Sequence, residues 1–170
     1  MLRLPRLAAA LRRVVLGLPP RSPLRAFFLK RAAQLAFSAY ERGEFAVPVE
    51  LFYSSRVEMR GGDLGEIGPD MAYDVRGKEG IQHWVERWQE PFAWIKYDVP
   101  ELLDFGHAVV FTLHQVAEGR ASGAPTELDT YSAMRLGEGL ITWQGWYRDR
   151  ADALRAVGVD PASVPPPERS

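Results

Sequence analysis

The chain of 170 residues contains no cysteine and only three histidines. Without cysteine there is no disulfide bond, no thiolate nucleophile and no metal site with sulfur ligands. The histidines, which are His83, His107 and His114, are scattered, and none has a second candidate ligand at the spacing of a metal site. The sequence therefore predicts a protein without a bound metal ion.

The short motifs of the common catalytic and nucleotide-binding sites are also missing. The chain has no Gly-x-Ser-x-Gly nucleophile elbow, no phosphate-binding loop and no glycine-rich dinucleotide fingerprint. We therefore expect no nucleotide and no other cofactor.

Acidic residues are absent from the first 31 residues, which carry eight of the 21 lysines and arginines. The rest of the chain has 13 basic residues against all 22 acidic ones, a net charge near -9. A domain of this charge is not expected to bind nucleic acid. The basic leading segment is a separate question.

Residues 1–21 form this basic arm. Apolar residues recur in it at helical intervals: Leu4, Leu7, Ala8, Leu11, Val14, Val15 and Leu18. The uninterrupted apolar run is too short for a secretory signal and far below the ~20 residues of a membrane span. The arm either binds an anionic membrane surface or packs against the protein's own body or a dimer mate, and we favour packing. We expect a cytoplasmic protein.

The pattern of residues 22–159 predicts one α+β domain, and the proline-rich residues 160–170 predict a disordered tail. Ser22 and Pro23 open a helix that Arg42 and Gly43 end. The next expected elements are a short helix from Pro48 to Phe52, a strand from Arg56 to Arg60, a helix from Lys78 to Pro91, and strands from Trp94 to Leu103 and from His107 to Ala117. The glycine-rich segment from Gly61 to Gly77 is expected to be a loop, and loops of this length are often functional lids.

The end of the chain predicts a hairpin followed by a capped helix. Strands from Thr126 to Leu136 and from Leu140 to Arg148 flank a turn at Gly137-Glu138-Gly139. Asp149 then caps a helix that continues to Val157.

Two of the predicted strands carry apolar residues on both faces. In the strand that starts at His107, Val109, Phe111 and Leu113 alternate with Ala108 and Val110. A sheet with one face in water does not have this pattern. We therefore expect helices on one face and a second subunit on the other, which predicts a homodimer.

Four short motifs, in this order, resemble those of a known family. They are Arg76-Gly77-Lys78-Glu79-Gly80-Ile81 before a helix with tryptophans, Leu103-Asp104-Phe105-Gly106 before a strand, Gly119-Arg120-Ala121-Ser122-Gly123, and the Tyr147-Arg148-Asp149-Arg150-Ala151 ending. Together they resemble the SnoaL-like branch of the nuclear transport factor 2-like superfamily, over roughly 26–159. The resemblance implies a cone-shaped, curved antiparallel sheet, wrapped around the N-terminal helices and one long helix, with an internal pocket.

This superfamily includes ketosteroid isomerases, polyketide cyclases, epoxide hydrolases of the limonene type, and many non-catalytic ligand binders, so the fold does not name the reaction. In the epoxide hydrolases two carboxylates bridged by an arginine activate a water. The overlay puts His114, Val116 and Trp146 in those three places, so that mechanism is not expected. The isomerase aspartate falls near Met59 or Arg60, and neither can be the base.

The same overlay implies that side chains of four strands face the pocket: Glu58, Arg60, Thr112, His114, Thr130, Ser132, Gln144 and Trp146. His114 and Glu58 are the candidate catalytic residues because each can gain or lose a proton near neutral pH in a suitable environment. The others are candidate substrate-binding residues. The residue pattern leaves alternatives: a buried structural role for His114, and a solvated charge pair of Glu58 and Arg60, since Val57 and Met59 form the more apolar face.

Trp84 and Trp88 lie on one stripe of the third helix and complete the candidate substrate-binding set. They either pack in the core, which we favour, or form a wall on which a ligand stacks.

Two functions stay open. The first is an enzyme that acts on a small hydrophobic, oxygenated molecule by cofactor-free acid/base chemistry, as an isomerase, cyclase, dehydratase or hydrolase. The second is a non-catalytic ligand-binding pocket, or a dimeric interaction module whose cavity is filled by the indoles of Trp84, Trp88 and Trp146.

Overall fold

The computed structural model describes residues 14, 15, 17–20, 22–61, 64 and 73–167. The helices are α1 (Pro23–Glu41), α2 (Ala46–Phe52), α3 (Gly77–Gln89) and α4 (Arg150–Ala156). The strands are β1 (Tyr53–Arg60), β2 (Val75–Arg76), β3 (Phe92–Asp98), β4 (Leu102–Asp104), β5 (Ala108–Gly119), β6 (Pro125–Gly137) and β7 (Leu140–Tyr147). The predicted α+β class is confirmed.

Local signals set the ends of two helices. α1 follows Ser22, whose hydroxyl accepts a hydrogen bond at 3.5 Å from a backbone amide of the first turn, and Gly43 just past the helix has a φ of 74°. α4 follows Asp149, whose carboxylate accepts bonds from the amides of Ala151 and Asp152. Both helices therefore begin at the caps that the sequence predicts.

β6 and β7 form the predicted hairpin through the two-residue loop Glu138-Gly139. Both residues have positive φ, 51° and 82°, which is the pattern of a type I′ turn. Gly137, which we expected in the turn, instead pairs with Leu140 at the end of the ladder.

The strands form one sheet in the order β2-β1-β7-β6-β5-β3, with β4 also paired to β5. β1 runs parallel to β7, and the other paired strands are antiparallel. The sheet is therefore antiparallel, as expected, except at one pair. At that pair β1, the first strand, lies beside β7, the last strand of the chain, and runs in the same direction. Along one edge of β5, residues 114–119 pair with β3 and residues 109–111 with β4.

The inner face of the sheet packs against the first three helices. Its core includes Val57 and Met59 of β1, Ile81 and Trp84 of α3, and Phe111 of β5, all nearly inaccessible to solvent. Burial of such side chains contributes about 1.5 to 3 kcal/mol each. This core lies beside the candidate site.

The outer face of the sheet has a second apolar cluster. Ala108, Val110 and Ala133 pack there against Ala153 and Leu154 of α4. The chain's own C-terminal helix therefore covers the part of the outer face on which we based the second subunit. The homodimer stays a prediction, and this apolar cluster no longer supports it.

Part of the expected disordered tail is also on this face. Pro161–Ser163 form a 3₁₀ helix, and Val164 packs against the outer cluster. Arg150 donates a hydrogen bond at 2.9 Å to the carbonyl of Pro165. Residues 161–165 thus contact the outer face or the helix that covers it. Residues 168–170 lie outside the described part, and the disordered tail stays a prediction.

Most of the segment from Gly61 to Gly77, for which we considered a lid, lies outside the described residues. Leu64 is described: it is 1% exposed and belongs to the inner core. Residues 1–13 of the basic arm also lie outside the described part, but Val15 is buried. Among the described residues, no helix combines the length and the apolar character that a membrane crossing requires.

A buried ion pair joins α1 to the end of β4. Arg25 Nε lies 2.7 Å from Asp104 Oδ2, and the two side chains are 3% and 2% exposed. Arg25 also donates to the carbonyls of Leu18 and Gly106, at 3.2 and 2.8 Å. The Gly106 amide donates to Asp104 at 2.9 Å. Since both charges have several partners, the pair fixes α1 against the sheet.

We predict that Asp104→Asn destabilises the protein by about 3 kcal/mol, because a buried arginine then loses its counter-charge. Urea unfolding followed by circular dichroism measures the change in the free energy of unfolding. Glu44→Gln is the control, since it removes the exposed ion pair of Arg42 and Glu44 and should have little effect. Equal effects of the two substitutions would show that the buried pair does not fasten α1.

Candidate functional site

A cavity of about 480 Å³ lies between the inner face of the sheet and helices α1 and α3. Its floor comes from β5, β6 and β7, and its walls from the two helices and from Tyr53, Met59 and Leu64. The lining is mostly apolar, with a few polar side chains on the floor.

The register of the sheet decides which side chains form this floor. On β5 the residues Val109, Phe111, Leu113 and Gln115 line the cavity. Leu113 pairs with Thr130, Phe111 with Ser132, and Ser132 with Trp146. Because directly paired residues point to the same face, the alternation of β5 continues across β6 and β7.

Four predicted strand residues lie at the cavity or in the polar network of its floor. Thr130, Gln144 and Trp146 line it, and Ser132 is fully buried behind Gln144. Thr130 and Gln144 are only 1% and 2% exposed. These positions agree with the prediction, and their roles in binding stay predictions.

The predicted orientation of β5 is wrong by one residue. Thr112 and His114 lie between the cavity-lining residues and so point to the outer face. His114 Nδ1 is 2.8 Å from Asp129 Oδ1 on the neighbouring strand, and 33% of its side chain is exposed. Thr112 Oγ1 is 3.5 Å from Glu101 Oε2. Neither side chain can reach a molecule in the cavity.

The two charged candidates on β1 are also outside the cavity. Glu58 Oε1 forms an exposed ion pair with Arg76 Nε at 3.4 Å, and Arg60 is exposed. Val57 and Met59 occupy the inner face instead, with 0% and 1% exposure. The apolar alternation within β1 indicated this arrangement, and the overlay on the family reversed it.

Trp84, Trp88 and Trp146 form a stack along the cavity wall. The ring centroids of Trp84 and Trp88 are 5.9 Å apart with planes at 4°, and those of Trp84 and Trp146 are 5.9 Å apart at 12°. All three indoles line the cavity. Trp84 and Trp146 belong to the inner core, and Trp88 packs against it. The cavity beside the three indoles is open, and the stacking of a ligand on them stays a prediction.

Two chains of neutral hydrogen bonds cross the floor. Tyr53 Oη donates to Gln144 Oε1 at 2.7 Å, and Gln144 Nε2 donates to Ser132 Oγ at 2.9 Å. The other chain is centred on Gln115.

Gln115 lies deep in the cavity and joins the indole wall to β6. Trp88 Nε1 donates to Gln115 Oε1 at 2.9 Å, and Gln115 Nε2 donates to Thr130 Oγ1 at 3.1 Å. Gln115 and Tyr53 are not among the site residues predicted from the sequence. The signal for Gln115 was its place two residues after Leu113, on the same strand face; Tyr53 directly follows the short helix and had no such signal.

Trp146 provides an unused donor. Its side chain lines the cavity, it is 8% exposed, and its buried Nε1 has no hydrogen-bond partner among the described residues. An unpaired buried donor costs about 1 to 3 kcal/mol. Because Nε1 itself is buried, the acceptor of a bound molecule would remove that cost only if neighbouring side chains shift to admit it.

Three tyrosines at the cavity are held neutral. Burial raises the pKa of Tyr53 and Tyr97 far above the ordinary value of 10.0. Burial, followed by the neighbouring Tyr53, raises the pKa of Tyr40 in the same direction. None of these phenols can serve as a base at neutral pH.

The described residues that line the cavity include no carboxylate and no imidazole. Arg31, which is exposed, is the one ionised side chain among them. Among the described residues there is also no cluster of three or more side chains suited to bind a metal. The arrangement offers hydrogen bonds and aromatic surface to a neutral molecule, rather than a pair of proton-transfer groups.

Comparisons with solved structures identify the fold. A ketosteroid isomerase-like protein from Catenulispora acidiphila, in complex with trimethylamine, matches with a TM-score of 0.58 and 16% identity, over 79% of this chain and 97% of that one. An NTF2-like protein of unknown function from Burkholderia pseudomallei matches at 0.60 and 13% identity, over 76% and 96%. TerC, co-crystallised with polyporic acid, matches at 0.58 and 16% identity, over 70% and 89%.

The chain has the nuclear transport factor 2-like fold. Proteins described as SnoaL-like polyketide cyclases are also among the matching structures, which agrees with the resemblance seen in the motifs. No protein-family model and no curated protein matches the chain. At this level of identity the comparisons establish the fold, and function has to come from the site.

We predict that the protein loses stability above about pH 10. An unfolded tyrosine releases its proton near that pH, whereas burial keeps the proton on Tyr40, Tyr53 and Tyr97 in the folded state. Their contribution is therefore fully present below the unfolded pKa and is lost as the pH rises past it. Urea unfolding at several alkaline pH values measures this loss, which should be smaller in Tyr97→Phe. An unchanged stability across that range would contradict the prediction.

Proposed function

We propose that the protein binds one small, uncharged and largely apolar molecule that carries a hydrogen-bond acceptor. The observation that supports this most directly is the cavity lining: among the described residues it is mostly apolar, has no carboxylate or imidazole, and includes the side chain of Trp146 with its buried, unpaired Nε1. The acceptor of the ligand pairs with this donor, and the apolar part of the ligand lies along the indole wall.

The dimensions of the cavity suit this class of molecule. Its volume of about 480 Å³ is within the range of roughly 300 to 1,000 Å³ that is typical of small-molecule sites. An apolar lining with a few placed polar groups is also typical of such sites, since the polar groups orient the ligand.

The lack of charged groups on the cavity floor disfavours charged ligands. A carboxylate or ammonium group taken into this cavity would find no opposite charge among the described side chains on the floor, and desolvation of an unpaired ion costs several kcal/mol. Arg31 is exposed, so it is not a buried counter-ion for the floor. Neutral ketones, quinones, ethers and epoxides fit the donor without this cost.

Proteins of the same fold accommodate small molecules in solved structures. The Catenulispora acidiphila protein is in complex with trimethylamine, and TerC was co-crystallised with polyporic acid. These complexes support the use of the fold for small ligands, and the choice of ligand here rests on the cavity of this chain.

The positions of the first catalytic candidates favour binding over acid/base catalysis. Glu58 and His114 both lie outside the cavity, in contact with Arg76 and Asp129. A ligand on the floor meets amides, hydroxyls and indoles, which bind and orient it. We therefore propose the non-catalytic ligand binder of the two functions that the sequence leaves open.

We predict that Trp146→Phe weakens the binding of fluorenone by about three- to tenfold, the value of one neutral hydrogen bond of roughly 0.5 to 1.5 kcal/mol. Fluorene has the same ring system without the oxygen, so it should lose clearly less affinity than fluorenone, because only its contact with the smaller ring changes. Isothermal titration calorimetry with each compound measures both affinities.

His114→Ala is the matched control, because it removes a side chain outside the cavity and should leave both affinities unchanged. Equal losses for fluorenone and fluorene in Trp146→Phe would contradict a hydrogen bond from Nε1. Mass spectrometry of the recovered ligand tests catalysis: a ligand of changed structure would overturn the non-catalytic proposal.

A further inference from the structure

Exposed apolar side chains form a stripe on one side of α1. Leu24, Phe27 and Leu35 are 53%, 62% and 56% exposed. Their spacing of three and then eight residues places them on the same side of a helix, and Arg31 lies between them. We call Leu24, Phe27, Arg31 and Leu35 the α1 surface.

The chain before Glu41 carries positive charge only. No acidic residue precedes Glu41, whereas eight lysines and arginines do. Of these, Arg25 is neutralised inside the protein by Asp104. Glu41, at the end of α1, is directed away and bonds to Lys96 and to the amide of Tyr97, at 3.2 and 2.8 Å.

The cavity reaches the exterior at the same place. Arg31 and Leu35 belong both to the α1 surface and to the cavity lining, and both are exposed. Phe28, on the same side of the helix, also lines the cavity, as does Val15 at the end of the arm. A partner that covers the α1 surface therefore also covers the mouth of the cavity.

We propose that the α1 surface docks on an anionic lipid bilayer. Leu24, Phe27 and Leu35 enter the boundary between the headgroups and the acyl chains, and Arg31 meets the lipid phosphates. Apolar burial together with positive charge is the combination that holds peripheral proteins on such surfaces.

Charge favours a bilayer over two other occupants. A second copy of the chain, seated face to face, would bring Arg31 against Arg31 in an apolar contact. Residues 1–13 would bring four more arginines and no acidic residue to the same surface. An anionic bilayer is the partner whose charge complements the surface.

Co-sedimentation with vesicles tests the proposal. We expect the full chain to bind vesicles of phosphatidylcholine mixed with phosphatidylglycerol and to bind pure phosphatidylcholine weakly. Phe27→Ser should lower the partition coefficient roughly tenfold, since it removes one large apolar side chain from the boundary. Arg31→Gln should lower it about fivefold with the mixed vesicles only.

Trp94→Ser is the matched control, because Trp94 is 45% exposed but belongs to β3 and not to the α1 surface. It should bind as the unmodified chain does. Leu24→Ser provides a second variant of the stripe, and circular dichroism checks that each variant is folded. No binding to mixed vesicles, or equal binding by the folded stripe variants and the Trp94 control, would overturn the proposal.

Sedimentation velocity without lipid tests whether a second copy of the chain binds to the α1 surface instead. Self-association that Phe27→Ser abolishes would assign the α1 surface to a second copy and overturn the membrane proposal. A monomer that still binds mixed vesicles supports it. The docking does not depend on the proposed ligand, so the calorimetric and vesicle experiments can fail independently.

Discussion

The alternation of side chains along β5 is the constraint on which the site depends. Successive residues of a strand point to opposite faces, so Phe111 and Leu113 face the helices, whereas Val110 and Thr112 face outwards. The paired strands extend this division across the sheet, as the register of Leu113 with Thr130 shows. The register of β5 therefore decides which polar side chains line the cavity and which lie on the outer surface.

The sorting separates neutral groups from ionised ones. The polar atoms on the cavity floor are amides, hydroxyls and indole nitrogens, and most are paired with one another. The carboxylates near His114 remain on the outer face, where water solvates them. Burial of an unpaired ion costs far more free energy than burial of a hydrogen-bonded amide. A cavity lined by neutral polar groups therefore destabilises the fold less than one lined by ionised groups. The buried ion pair of Arg25 and Asp104 is tolerated since each group has the opposite charge beside it and further hydrogen bonds.

Sequence reasoning was accurate where the signal is local. The Ser22 and Asp149 caps, the hairpin of β6 and β7, and the α+β class follow from short-range preferences. The family resemblance also placed Trp146 and Gln144 correctly at the cavity. It reversed β1 and β5, where an overlay shifted by one residue exchanges the two faces of a strand. In β5 the sequence pattern could not show which face is the inner one, because both faces are apolar. In β1 the apolar residues Val57 and Met59 did indicate the inner face.

The amino-acid sequence by itself determined where α1 and α4 begin, the hairpin of β6 and β7, the charge of the N-terminal segment and the motifs typical of the fold, because each depends on neighbours within a few residues. It did not predict β2, and the single strand expected from Trp94 to Leu103 is divided into β3 and β4. Only the tertiary structure decided that β1 lies parallel to β7, that α4 covers the outer face, and that Glu58 and His114 lie outside the cavity. It also decided that the Trp146 donor is buried without a partner. These features depend on contacts between residues far apart in the chain. When a strand is apolar on both faces, its own residues do not indicate which face packs against the helices.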